Sequence, residues 1–169
     1  PAAGLPQRTE LDMRRGTLTR TFHTVHAGRR THVTQCRLVS MDDPHLATLR
    51  TTLTPENWAG TVVVRSALDG TVSNRGVARY RDLNGRHLAP LGAGSENTGT
   101  AWLRCRTLTS GVEIVLASRT LVTRDGRATS CATPTSDNWA ATDLTLNVRT
   151  GEPTTVEKTV ALYTSRDRA

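Results

Sequence analysis

Turn signals, all but one centred on glycine, recur along this chain at the spacing of β-strands, and that regularity constrains the fold more than any other feature. Arg15-Gly16, Ala27-Gly28, Asp43-Pro44, Asp69-Gly70, Asn84-Gly85, Ser110-Gly111, Asp125-Gly126 and Thr150-Gly151 punctuate it. Asn-Gly and Asp-Gly supply the positive φ that primed hairpin turns need. The segments between are rich in Thr and Val, β-branched residues that suit a pleated surface. They predict strands near Thr17–Val25, His32–Met41, Leu46–Leu53, Thr61–Leu68, Ala78–Leu83, Arg86–Leu91, Ala101–Thr107, Val112–Val122, Asp143–Val148 and Thr155–Tyr163. No stretch holds the helical 3.6-residue period for ten residues. Many strands joined by short turns predict an all-β, antiparallel sandwich.

Alternation assigns faces. Leu49, Thr51 and Leu53 share one side of their strand, and Val62 and Val64 oppose Val63 and Arg65. In the last strand Val156, Lys158, Val160 and Leu162 share a face opposite Glu157, Thr159, Ala161 and Tyr163. That strand ends apolar on both faces, which predicts a central place in a sheet. Gly92–Gly99 and Arg124–Asn138 read as loops, and residues 1–9 as a disordered or linker-like head. The last strand runs almost to the terminus, so the expectation is a domain that continues in a longer polypeptide.

A chain of 169 residues makes one domain, or part of one, with a real core. The net charge of +7 raises the question of nucleic acid. However, the basic residues are spread along the chain, and all but Lys158 are arginines, so no nucleic-acid partner is expected. Cys36, Cys105 and Cys131 form no CxxC pair, so free thiols are expected and no zinc or redox motif. No run reads as a signal peptide or reaches membrane-spanning length, so the expectation is a cytoplasmic protein with no membrane partner.

Candidate chemistry is sparse. His23, His26 and His32 lie close in sequence, but His23 and His26 point to opposite faces of a strand, so no metal site is expected. Asp42, Asp43 and His45 could do acid–base work, yet Asp-Asp-Pro is ordinary turn chemistry. Glu56 and Trp58 could form a sugar-stacking subsite or a hairpin connection with a packed Trp. Glu96, Glu113, Glu152 and Glu157 have no evident partner for a glycosidase carboxylate pair. No catalytic residue is assigned, and no carbohydrate-binding residue can be named. No cofactor motif is present.

Several stretches, in order and in register from residue 10 to residue 167, resemble the N-terminal domain of family 65 glycoside hydrolases and phosphorylases. They are Glu10-Leu11-Asp12-Met13-Arg14-Arg15-Gly16-Thr17-Leu18-Thr19-Arg20, Arg37-Leu38-Val39-Ser40-Met41 with His45-Leu46-Ala47, and Ser66-Ala67-Leu68-Asp69-Gly70-Thr71-Val72-Ser73-Asn74. Arg79-Tyr80 with His87-Leu88, Arg106-Thr107 with Ser110-Gly111, and Val156-Glu157-Lys158 with Thr164-Ser165-Arg166-Asp167 complete the set. The resemblance implies a β-supersandwich similar to galactose mutarotase-like domains, incomplete over residues 10–169. It implies a catalytic (α/α)6 barrel that this chain does not contain. For the full-length enzyme it implies phosphorolysis or hydrolysis of an α-glucosidic disaccharide such as maltose, trehalose or kojibiose, with inversion. Inorganic phosphate is the co-substrate if the enzyme is a phosphorylase. The domain itself is then expected to pack against the barrel and take part in dimer contacts, with Arg166 and Asp167 at the domain boundary.

Two other readings compete. A stand-alone carbohydrate-binding β-sandwich module would show several exposed aromatics on one sheet face, and six aromatics in the whole chain argue against it. A small mutarotase-like enzyme would need a His and a carboxylate to converge, with His87, His32 and Glu113 as the available set. Exposed edges of an incomplete sandwich predict self-association of these residues in isolation.

Overall fold

The structure, a computed structural model, describes residues 6–73, 85–122, 135–167 and the backbone of 129–132. The described residues form eleven strands: β1 (Gln7–Asp12), β2 (Thr17–His26), β3 (Arg29–Val39), β4 (Leu46–Pro55), β5 (Gly60–Asp69), β6 (Leu88–Ser95), β7 (Thr100–Thr107), β8 (Glu113–Val122), β9 (Thr129–Ala132), β10 (Trp139–Val148) and β11 (Thr154–Thr164). An eight-stranded sheet runs in the order β1-β2-β3-β4-β11-β8-β7-β6, and a three-stranded sheet in the order β5-β10-β9. Every pairing is antiparallel, as the turn-and-strand pattern predicts. The last strand, β11, lies between β4 and β8 in the interior of the large sheet, where its apolar pattern placed it.

The small sheet packs on one face of the large one. Alternation along β10 buries Thr142, Leu144, Leu146 and Val148 while Asp143, Thr145 and Asn147 face the other side, and near its start Ala140 and Ala141 are both buried. One core cluster joins Leu68 and Ala140 to Ala101 and Leu103, backed by Ala93 and Leu116. A second joins Leu144, Leu146 and Val148 to Val156, backed by Trp58, Val62, Val64 and Val122. Val63 and Arg65 face outward, as alternation predicts. Across the interface Thr120 Oγ1 donates to Ser66 Oγ at 2.7 Å in a buried contact. Cys36 is a half-buried free thiol, and Cys105 a buried one whose pKa burial pushes up. The Cys131 side chain lies outside the described residues.

Three expectations need correction. The head extends no further than residue 6, because Gln7–Asp12 pairs with β2 as an edge strand. The first half of the expected loop Gly92–Gly99 is strand, with β6 continuing through Ser95 before a turn at Glu96–Gly99. A short strand, β9, interrupts the expected loop Arg124–Asn138 and pairs with β10. The strand expected at Ala78–Leu83 lies outside the described residues.

Candidate functional site

The outward face of the large sheet gathers charged and aromatic side chains at one corner, where β7, β8 and β11 lie side by side. Alternation puts Arg104, Arg106, Glu113, Val115 and Tyr163 on that face, and Leu103, Cys105 and Leu116 on the other. Glu113 opens β8 directly across from Arg106. Its carboxylate accepts from Arg104 Nη2 at 2.5 Å, Arg104 Nε at 3.2 Å and Arg106 Nη2 at 2.6 Å. Hydrogen bonds from Arg104, then from Arg106, hold the Glu113 carboxyl below its usual range. Glu113 N donates to Ser165 Oγ at 3.1 Å, and Ser165 N returns a bond to Glu113 O at 2.9 Å. Arg104, Glu113 and Ser165 line a shallow depression of about 310 Å³ with Val115, Tyr163 and Thr164.

Tyr163 stacks on His45, ring centroids 4.0 Å apart and planes 13° apart. His45 belongs to the β3–β4 turn and its Nδ1 lies 2.8 Å from the Leu162 carbonyl oxygen, so Nδ1 carries the hydrogen. The turn itself is built as Asp-Asp-Pro chemistry predicts: Asp43 Oδ1 accepts from His45 N at 2.9 Å and Ser40 Oγ from Asp43 N at 3.0 Å. The imidazole is therefore committed to β11 and not to the carboxylates of Asp42 and Asp43. Just past β11, Asp167 Oδ2 accepts from Thr164 N at 2.5 Å and lies 3.9 Å from His45 Nδ1. The Arg166 side chain is exposed, and its backbone N donates to Thr164 Oγ1 at 3.3 Å. Arg166 and Asp167 thus cap the corner, with Asp167 closing the turn and Arg166 pointing to solvent.

A second cluster forms at the far side of the sheet. Ala27 and Gly28 both take positive φ, 47° and 75°, the requirement of a type I′ turn. That two-residue loop sets His23 opposite His32, ring centroids 4.9 Å apart. His23 Nε2 lies 2.9 Å from Glu56 Oε1, and Arg30 Nε 2.8 Å from Glu56 Oε2. Trp58 Nε1 donates to Arg30 O at 3.1 Å and Thr31 Oγ1 at 3.0 Å, and its ring packs on the second core cluster. Trp58 therefore anchors a hairpin and is no open sugar platform. His26 pairs with Arg29 beside the turn. Among the described residues, no three His, Cys, Asp or Glu side chains are grouped to hold a metal ion.

His87, His32 and Glu113 do not converge. His32 stands on β3 and Glu113 on β8, with β4 and β11 between, about 14 Å apart or more at ordinary strand spacing. The other glutamates are held in turns or by arginines: Glu96 in the β6–β7 turn, Glu152 near Arg149 at 3.9 Å and Glu157 with Arg50 at 3.2 Å. The His23–Glu56 contact was not anticipated, although the Ala27-Gly28 signal carries the register that brings His23 to His32. The arginine clamp on Glu113 depends on β7–β8 register, which no single motif announces.

The sequence profile of the glycosyl hydrolase family 65 N-terminal domain matches residues 5–169. Two relatives from Mycobacterium tuberculosis, the uncharacterized glycosyl hydrolases MT2062 and Rv2006, are each 38% identical over 168 residues, 98% of this chain. The chain spans 13% of the length of each. Among solved structures, a candidate kojibiose phosphorylase from the human microbiome has a TM-score of 0.74 at 15% identity. The match covers 98% of this chain and 21% of that one, and at this identity it establishes the fold. The chain belongs to the glycosyl hydrolase family 65 N-terminal domain family.

Proposed function

We propose that this chain is a non-catalytic β-sandwich domain of an enzyme that cleaves α-glucosidic disaccharides with inversion, by phosphorolysis or hydrolysis. The family assignment supplies the reaction class. The state of the carboxylates supports the non-catalytic role. An inverting glycosidase needs a general acid whose pKa is raised, set across the substrate from water or phosphate. The described carboxyls with displaced pKa values are Asp69, Glu113 and Asp143, and all three shift down. Hydrogen bonds from Thr71, Arg104 and Arg65 are the leading causes, so these groups are held ionised and make poor acids at neutral pH. In this reading the acid and the phosphate-binding residues belong to a catalytic barrel outside these 169 residues. The leaving oxygen takes its proton there, and phosphate or an activated water attacks the opposite face of the sugar.

The domain's own contribution is a seat for that barrel. The corner at the end of β11 supports this, because Asp167 closes the turn and Arg166 within it is exposed. An exposed arginine is suited to a carboxylate across a domain boundary. No helix of the described residues is long and apolar enough to cross a membrane. A cytoplasmic location and a homo-oligomeric enzyme complete the reading.

Titrating the chain into a separately produced remainder of the polypeptide tests it. Saturable binding that weakens at least tenfold with Arg166→Glu is expected. Absence of binding by the wild-type chain contradicts the role.

A further inference from the structure

A flat, partly exposed indole lies a short way across the sheet from the Arg104–Glu113 depression. Trp102 sits on β7 and faces outward, 40% exposed. Its ring rests on the backbone of β6. A Cβ added at Gly94 would meet Trp102 Nε1 at 2.5 Å, Cε2 at 2.7 Å and Cζ2 at 2.9 Å. One added at Gly92 would meet Cη2 and Cζ3 at 3.7 Å. Gly94 thus leaves the space the indole occupies and can be nothing larger without lifting it, while Gly92 meets the ring only at ordinary contact distance. Glycine within a strand ordinarily weakens it. Here it trades strand stability for a ring laid along the sheet with its other face to solvent.

The surroundings of the indole fit the same use. Ala117 lies directly across from Trp102 on β8, and Val115 one step along lies between Arg104 and Tyr163. Tyr163 is 48% exposed and has one ring face held against His45. Trp102 and Tyr163 therefore flank a small apolar floor, their backbone positions about 12 Å apart across two strand spacings and one two-residue step. Beside that floor stand Arg104, Arg106 and Glu113, planar polar groups locked to one another. Two arginines against one carboxylate leave a single net positive charge, but both guanidinium groups are already engaged by Glu113, unlike the bare arginines an anionic ligand would seek.

We infer that the outer face of β7, β8 and β11 binds a neutral oligosaccharide, one pyranose lying on Trp102 and the chain running over Val115 toward Tyr163. The C–H face of a pyranose suits the flat indole, whose ring is already ordered and costs little entropy to engage. The hydroxyl rim meets the Arg104–Glu113 fork. Only the choice of an α-glucan as probe rests on the family reading.

Titrating the chain with maltoheptaose, followed by calorimetry and tryptophan fluorescence, tests this. Saturable binding with an emission change is expected. Trp102→Ala should lower affinity at least tenfold, and Trp102→Phe should restore most of it, both in chains that still unfold cooperatively in urea. Arg104→Ala should weaken binding less. Binding of a β-linked glucan such as cellohexaose, lost in Trp102→Ala, would support the platform while overturning the α-glucan expectation. Failure of all neutral oligosaccharides to bind, or equal binding by Trp102→Ala, overturns the inference. So does shielding of Trp102 from acrylamide in the whole polypeptide, which would make this face a domain contact.

Discussion

Lys158 Nζ reaches from β11 in the large sheet to the carbonyl oxygen of Ala67 on β5 in the small one, donating at 2.7 Å. The chain's single lysine is thus a link between its two sheets. Burial lowers its pKa from 10.5, because the ammonium loses water and gains one carbonyl. A depressed base has a definite sign in linkage. Between the folded pKa and 10.5 the unfolded chain holds more protons, so stability rises with pH through that interval. Lys158→Met removes the titrating group. Urea unfolding near neutrality and just below pH 10.5 should show the wild type gaining on the variant as pH rises. A difference that stays constant contradicts the buried ammonium.

Gly99 takes φ +80° with the Thr120 carbonyl against the place a Cβ would occupy, and Thr120 N donates to Gly99 O at 2.9 Å. Gly111 has φ +65° but open space around it. An alanine in left-handed backbone costs about 1–2 kcal/mol without a clash. Gly111→Ala should lose about that much, and Gly99→Ala clearly more, because the neighbour is backbone and must move. Equal losses in denaturant unfolding would contradict the geometry.

Leu144 and Thr142 are adjacent inward positions of β10, each nearly inaccessible. Leu144→Ala leaves a cavity between the sheets and should cost about 2–5 kcal/mol. Among the described residues the buried Thr142 hydroxyl has no hydrogen-bond partner. Thr142→Val keeps the shape and removes that unmet group, so it should be neutral or stabilising by up to about 1 kcal/mol. A large loss in Thr142→Val would show that the hydroxyl is satisfied after all.

Leu11, Met13, Leu38, Val39 and Met41 are exposed at one end of β1–β3, Met41 at 95%. The register places Asp12 beside Thr17 and Thr17 beside Leu38, so these side chains share one corner next to the β1 edge. An apolar corner beside an open edge invites pairing. Light scattering of the isolated chain should show concentration-dependent self-association, reduced in Val39→Ser/Met41→Ser. A monodisperse monomer with cooperative melting would contradict it.

Much of this architecture is legible in the sequence because antiparallel sheets are built from local rules. The Ala27-Gly28 turn alone sets the β2–β3 register, and alternation in β11 already pairs Val156 with Lys158 on one face. What is illegible has physical causes. Gly94 reads as a loop because its reason for being glycine is the Trp102 ring, which arrives from another strand, and Gly92 because it takes a positive φ of 141° at a shift in the β6–β7 register. The polar edge strand β1 carries little hydrophobic signal, since only one side of it pairs. The Tyr163–His45 stack and the Glu113 clamp join residues whose proximity depends on sheet order. Arg166 and Asp167 stand out only through resemblance, and the structure then separates their roles, one closing a turn and the other facing solvent.

The most direct measurement compares the isolated chain with the whole polypeptide on maltose, trehalose and kojibiose, with and without inorganic phosphate, reading product anomers by NMR. The account predicts inverted product from the whole polypeptide on at least one disaccharide and none from the 169 residues alone. Turnover by the isolated chain would contradict it.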